Sequence, residues 1–477
     1  MSAERYFNYL LGGEALPAAN AIIIPPYEKS KEWSGVWAHE YFHFLQLSGT
    51  PMGQLISFQK ACVGHFVGAF LREPPAELKK TPNWLFPILL WANITDDNHI
   101  KRSLQKHFGF LLFVAETINL HFGTSPSICV GNQWRRHLPW PWATLPPNDR
   151  IYPDIVLTSD KDRGILTTLT VMESAAAIQG LRMEGAEINI ENAQGFALSE
   201  QQRNRLITAP RLYNLALLYV EENSSIPNKY APSVTVLAAD LALESGIREL
   251  EMSKQGQPVE WEDWYPGWRF IKAVKIIDDL FTAQKWWPET EDELINYQKE
   301  IRQKCNWTEP EHCPSALLSV SPDRRFASDK ARHRLAEAAM ILRMTKAGLW
   351  SIGSRNQLVD ASLNWFKPPI IKEYGQNKIK STRSDWPASD VQELWEDAQL
   401  EHIAWQLLGA SRLEKREHRI ECFPWAKERS GSNCEYYNGK CRWFPEDAER
   451  QVPDKCPMMR ILIRLCGNYW SRLRPAF

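Results

Sequence analysis

A mainly α-helical protein of the α+β class is predicted, on three observations. Apolar residues recur at three- and four-residue steps from Leu55 to Phe70, Val234 to Leu250, Trp268 to Gln284, Glu291 to Lys304, Ser328 to Gly348 and Asp390 to Leu408, the period of helices with a buried face. Strand-like patterning is minor, with one apolar run, Ala21-Ile22-Ile23-Ile24, ahead of Pro25-Pro26. Trp (21) and Pro (31) are abundant and fall in turns such as Leu138-Pro139-Trp140-Pro141-Trp142, so the irregular segments are expected to be ordered, aromatic-pinned loops.

The run at Ala21 to Ile24 is expected to lie as an edge strand beside the next helix, where an extended peptide could add its backbone. That helix is predicted over Val36 to Gln46, a stretch free of Gly and Pro, with Ser34 as its cap and Gly49 and Pro51 at its end. Its interior holds His39-Glu40-Tyr41-Phe42-His43. Residues four apart share a helix face, so His39 and His43 can present two imidazole nitrogens to one metal ion. Glu40 then lies beside that ion, where a carboxylate can take a proton from water and pass it to a leaving amine. Two histidines and a carboxylate on so apolar a helix are costly to bury unless bonded or bound to metal.

A catalytic zinc needs a third protein ligand and an open position. The extended pattern HExxHxxGxxH is excluded, because its last position is Gly49 and its glycine position is Gln46. The best distant candidate is Glu173, in Thr170 to Gly180, a segment read as a helix stopped by Gly180 whose alanines permit close approach to the first helix. Glu184, in a polar and Gly-flanked context, reads as surface. His65 reads as a core residue, and His99, His107, His121 and His137 show no ligand spacing. A further helix from Arg211 to Glu222, opened by Pro210, carries Tyr213 and Tyr219. Either could donate to an oxyanion if this helix folds over the cleft, packing being the competing role.

His39 to Gln46 followed by Thr50-Pro51-Met52-Gly53 resembles the HEYxHxxQ…TxxG block of bacterial zincin-like proteins, and Glu173-Ser174-Ala175-Ala176 resembles their downstream glutamate helix. The arrangement is similar to that of the gluzincins. This resemblance implies His39, His43 and Glu173 as zinc ligands and Glu40 as base. It spans about the first two fifths of the chain and is specific for zincin chemistry rather than for a substrate. Many gluzincins place an Asp four residues after the ligand Glu to orient a histidine; Ala177 stands there, so that partner is expected from elsewhere.

Three regions are expected: a zincin-like catalytic domain over 1–224, ended by the turn-rich Glu222 to Pro227; an α-helical domain over 225–410; and a Cys-containing C-terminal region over 411–477. Phe366 to Pro387, polar and basic, is expected to be a long surface loop. In the last region Cys422, Cys434, Cys441 and Cys456 lie close in sequence. Four thiolates could hold a second, structural zinc or an iron-sulfur cluster; with no Cys-x-x-Cys step, reduced cysteines are the competing expectation.

With 56 basic against 57 acidic side chains and no long run of one sign, neither nucleic acid nor an anionic membrane is expected as a partner. No targeting segment or membrane span is evident, and nine scattered cysteines fit a reducing compartment, so a cytoplasmic location is expected. The expected activity is hydrolysis of peptide bonds in a peptide or protein substrate by zinc-activated water. The alternatives are a zincin-fold binding or regulatory module that engages a protein partner, and a protease of a bacterial defence or stress system activated by such a partner.

Overall fold

The computed structural model describes residues 14–17, 21–24, 31–82, 84–86, 88–107, 152–158, 163–186, 198–245, 260–288, 291–307, 370–373, 380–381, 387–392, 394–395, 400–401 and 473–475. These residues are mostly helical with small sheets. In chain order they form β1 (Glu14–Leu16), β2 (Ala21–Ile24), α1 (Lys31–Gly49), α2 (Pro51–Arg72), α3 (Ala76–Lys80), β3 (Trp84–Phe86) and α4 (Ile88–Ile94). There follow β4 (Asp154–Val156), β5 (Arg163–Ile165), α5 (Thr168–Ala186), α6 (Glu200–Ile207), α7 (Arg211–Asn223) and α8 (Ala231–Ala242). The described order closes with α9 (Trp261–Trp264), α10 (Pro266–Gln284), α11 (Glu291–Cys305), β6 (Ile370–Glu373), β7 (Lys380–Ser381) and β8 (Leu473–Pro475).

The strand at Ala21 to Ile24 forms, but not as an edge. β2 pairs antiparallel with β1 and parallel with β6, in a sheet ordered β1-β2-β6-β7. All four of its residues are buried. Its ladder groups are taken on both sides, so it cannot accept a peptide strand. The same sheet corrects the expectation of a surface loop at Phe366 to Pro387, for Ile370-Ile371 pair with Ala21-Ile22 and then turn back into β7. Two isoleucines after a proline pair are apolar enough to complete a sheet begun hundreds of residues earlier.

α1 begins at Lys31, so Ser34 lies inside its first turn rather than at its cap. Thr50 separates α1 from α2 and caps the second: its side chain accepts from Gly53 N, and Pro51 takes the first helical position, where no N–H is needed. Trp37 and Tyr41 stack at 4.9 Å between ring centroids on one side of α1. Tyr41, Phe44 and Leu45 are buried in the main core, which leaves the face carrying His39 and His43 to meet α5.

Gly180 does not stop α5. The helix runs on to Ala186, and Gly180 sits at its crossing with α1, where a Cβ would come within 2.8 Å of the Gly35 carbonyl oxygen and 3.4 Å of His39 Cβ. Here glycine is required for close approach and not for backbone conformation. Ala175, Ala176 and Ala177 are fully buried, and Ala176 and Ala177, four and three residues before Gly180, share its face of the helix. α1 and α5 make the most extensive pairing among the described elements, and α7 packs on α5 in turn.

The main core is continuous from Ile22 through Val171 and Leu217 to Val234, Phe270 and Ile301. Helices on both sides of residue 224 share it: α8 packs on α5 and α7 as well as on α10. The turn at 224–229 thus joins helices that contribute to a shared core. Cys305 is buried in this core, which pushes its thiol up to about 11.

Two buried arginines tie the later helices together. Arg269 donates to the carbonyls of Leu241 and Ala242 at the end of α8, and to that of Asp263. Arg302 on α11 makes paired bonds of 2.8 and 2.6 Å to Glu244, both side chains being buried. Glu184, expected at the surface, is also buried and bonds Arg205 at 3.1 Å; the pairing is what allows a carboxylate in that position.

Two stability predictions follow from these contacts. Gly180→Val should lower the free energy of unfolding by about 1–3 kcal/mol, since backbone rather than a flexible side chain must give way. Arg302→Met removes the paired bonds to the buried Glu244 carboxylate and should cost about 3–5 kcal/mol. Both are read from denaturant unfolding, and an unchanged midpoint for either variant would contradict the corresponding contact.

Candidate metal centre

The antiparallel crossing of α1 and α5 sets the register of the site. From Gly35 to His43 is about 12 Å along one helix, and from Gly180 to Glu173 about 10 Å along the other, at the rise of an α-helix. With Gly35 against Gly180, the two histidines therefore reach the level of Glu173. His39 Nε2 and His43 Nε2 lie 3.1 Å apart, and Glu173 Oε2 is 3.2 Å from the first and 3.1 Å from the second. Among the described residues these three are the group able to hold a metal ion.

The shape of this triangle tests the fit of zinc. Ligand atoms at the zinc bond length of about 2.0–2.1 Å in a tetrahedron stand about 3.3 Å apart. All three observed edges are close to that. His39 and His43 are buried, and the Glu173 side chain is 16 % exposed, so the lone pairs are directed at each other in a largely dry place. Such a convergence is repulsive unless a proton on an imidazole or a metal cation lies within it.

The electrostatics agree. Burial alone would raise the Glu173 carboxyl, but the neighbouring His43 and His39 hold it far below the usual carboxylate range. Burial likewise pushes both imidazoles down. For His43 the charge and hydrogen bond of Glu173, with help from Glu40 and Gln46, prevail and lift it to about 9; for His39 burial and the His43 charge prevail and it stays low. The cluster thus draws one positive charge to its centre, and a divalent cation supplies that charge to all three ligands at once.

Glu40 is 3 % exposed. Its charge acts on His43 and on Tyr213, so the carboxylate belongs to the same enclosure. Tyr213 on α7 has its ring 6.1 Å from that of His39, and its hydroxyl is held in the protonated form by burial and by the charges of Glu173 and Glu40. A hydroxyl so held is a donor at this site. Tyr219 lies on a different face of the helix, two-thirds of a turn out of phase with Tyr213, and packs at 6.3 Å on Phe270.

Gln46 emerges as a member of the site. Its Oε1 is 2.9 Å from His43 Nδ1, and its Nε2 donates at 3.2 Å to the carbonyl of Met172, the residue before Glu173. The sequence signal was its place one helical turn beyond His43 on the same face. His39 has weaker support: its buried Nδ1 makes no hydrogen bond of good geometry, and the Ala176 backbone acts on the ring only as a weak partner. Of the other histidines weighed from the sequence, His107 is exposed and bonds the Ser103 carbonyl at 2.9 Å. The side chain of His65, the segments carrying His121 and His137, and Cys422, Cys434, Cys441 and Cys456 lie outside the described residues.

Metal analysis tests the cluster directly. The purified chain should carry about one equivalent of zinc, and His43→Ala or Glu173→Ala should reduce it to background, because three ligands are the usual minimum for a catalytic site. Retention of full metal content by either variant would remove that residue from the ligand set.

A comparison with protein-family models, with curated proteins and with solved structures finds no match to this chain, so the functional argument rests on the chemistry of His39, Glu40, His43, Glu173 and their neighbours.

Proposed function

We propose that the protein is a zinc-dependent metallopeptidase of the gluzincin type, with His39, His43 and Glu173 as metal ligands and Glu40 as general base. The observation that carries this reading is the near-equilateral triangle of two imidazole nitrogens and a carboxylate oxygen, 3.1 to 3.2 Å on each edge, with Glu40 buried on the next residue of the same helix. A structural zinc would use four protein ligands. Among the described residues three ligands converge, with a carboxylate adjacent, which is the composition of a reacting site.

Zinc, when bound, would polarise the scissile carbonyl and make water a nucleophile near neutral pH. The remaining steps fall to the chain. Glu40 takes the proton of the attacking water and returns it to the leaving nitrogen, so that the amine departs neutral. Its burial keeps bulk water from competing for that proton and strengthens its interaction with charge at the site. Tyr213, protonated and with its ring 6.1 Å from that of His39, is the proposed donor to the oxyanion that develops on the carbonyl oxygen. No described helix is long and apolar enough to cross a membrane, and a cytoplasmic protein or peptide is the proposed substrate.

Glu40→Gln keeps the size and burial of the side chain while removing the base. Cleavage should fall by about 10²- to 10⁴-fold, with zinc content unchanged. The measurement is the appearance of new N-termini when a cell extract is incubated with wild type or with the variant. Equal cleavage by the two proteins would show that Glu40 is not the base.

A further inference from the structure

We infer that Gln46 is the positioning residue of the metal centre: its side-chain amide orients His43 so that the Nε2 lone pair faces the metal, and at the same time pins the backbone that carries Glu173. The inference rests on the metallopeptidase reading.

The orientation follows from what each partner can do. The Met172 carbonyl only accepts, so the amide nitrogen of Gln46 must face it, at 3.2 Å. Gln46 Oε1 therefore faces His43 Nδ1, at 2.9 Å. An amide oxygen only accepts, so Nδ1 carries a proton and donates it. In a neutral imidazole one nitrogen is then left with a free lone pair, and it is Nε2, the atom that points at His39 and Glu173. One amide thereby sets the tautomer of one ligand and the position of the residue next to another.

Gln46 is itself held. Thr50 Oγ1 donates to the Gln46 carbonyl at 2.6 Å and accepts from Gly53 N at 3.0 Å. A Cβ on Gly53 would overlap the Gln46 carbonyl and lie 2.6 Å from Leu47 Cα. The start of α2 is thus seated on the backbone of Gln46, and only glycine permits it. Gln46, Thr50 and Gly53 form one device whose output is the geometry of His43 and Glu173.

The test compares full-length wild type, Gln46→Leu and Gln46→Glu by two measurements. Zinc affinity is read by competition with a chromogenic chelator. The hydrogen-bonded Nδ1 proton of His43 is read by NMR on protein labelled with nitrogen-15 at histidine, with and without zinc, and located by its absence in His43→Ala. Wild type should show a slowly exchanging Nδ1 proton. Gln46→Leu should lose it and bind zinc about 10- to 100-fold more weakly. Gln46→Glu keeps an acceptor for Nδ1 and should recover the proton signal and most of the affinity, which a mere packing role would not predict. Retention of signal and affinity by Gln46→Leu, or a loss in Gln46→Glu as deep as in Gln46→Leu, overturns the inference. A wild type that shows the bonded proton but binds no zinc refutes the metallopeptidase reading and leaves the orienting role of Gln46 standing. One that binds zinc without the bonded proton refutes the role of Gln46 alone.

Discussion

The contact of the Gly180 backbone with the Gly35 carbonyl is the constraint on which the centre depends. Two helices normally pack 8–10 Å apart, with side chains between them. Here a glycine brings α5 onto α1 next to His39. A glutamate has a short reach, and only this proximity lets the Glu173 carboxylate touch both imidazoles. The sheet, the arginine-capped helix ends and the α7–α8 corner surround that crossing and keep it from sliding.

A cost accompanies this geometry. Two imidazoles, two carboxylates and an amide are gathered in the interior, where uncompensated polar groups are unfavourable by several kcal/mol. Compensation is uneven. His43 is bonded through both ring nitrogens, to Gln46 and to the cluster, whereas His39 is bonded through Nε2 and its buried Nδ1 makes no hydrogen bond of good geometry. The two histidines are therefore not equivalent: the orientation of His43 is fixed from both sides of its ring, and that of His39 chiefly from its Nε2 side.

The region beyond residue 224 enters the same structure. α8 and α10 contribute to the core on which α5 rests, and the Arg302–Glu244 pair and the Arg269 bonds lock the ends of these helices. Met52 near the start of α2 donates its N–H to the Leu243 carbonyl at 3.1 Å, which joins the end of α8 to the turn that seats Gln46. The later helices thus support the centre through the core they share with α5 and through the Met52–Leu243 backbone bond.

Local pattern determined much of this protein in advance. The helical period, the pairing of His39 with His43 and the start of α7 at Pro210 are properties of nearby residues, decided by side-chain spacing and by the geometry of one helix turn. The Glu173 helix was also legible, because a glutamate among alanines calls for a buried partner. Tertiary structure decided the rest. Gly180 is a crossing point and not a stop, since a glycine at a close contact and a glycine at a helix end are identical in sequence. Ala21 to Ile24 is a central strand because its second neighbour, Ile370 to Glu373, is remote in the chain. Gln46 meets His43 Nδ1 and the Met172 carbonyl together because such a bridge is defined by position in space, and position in space is fixed only when two helices have met.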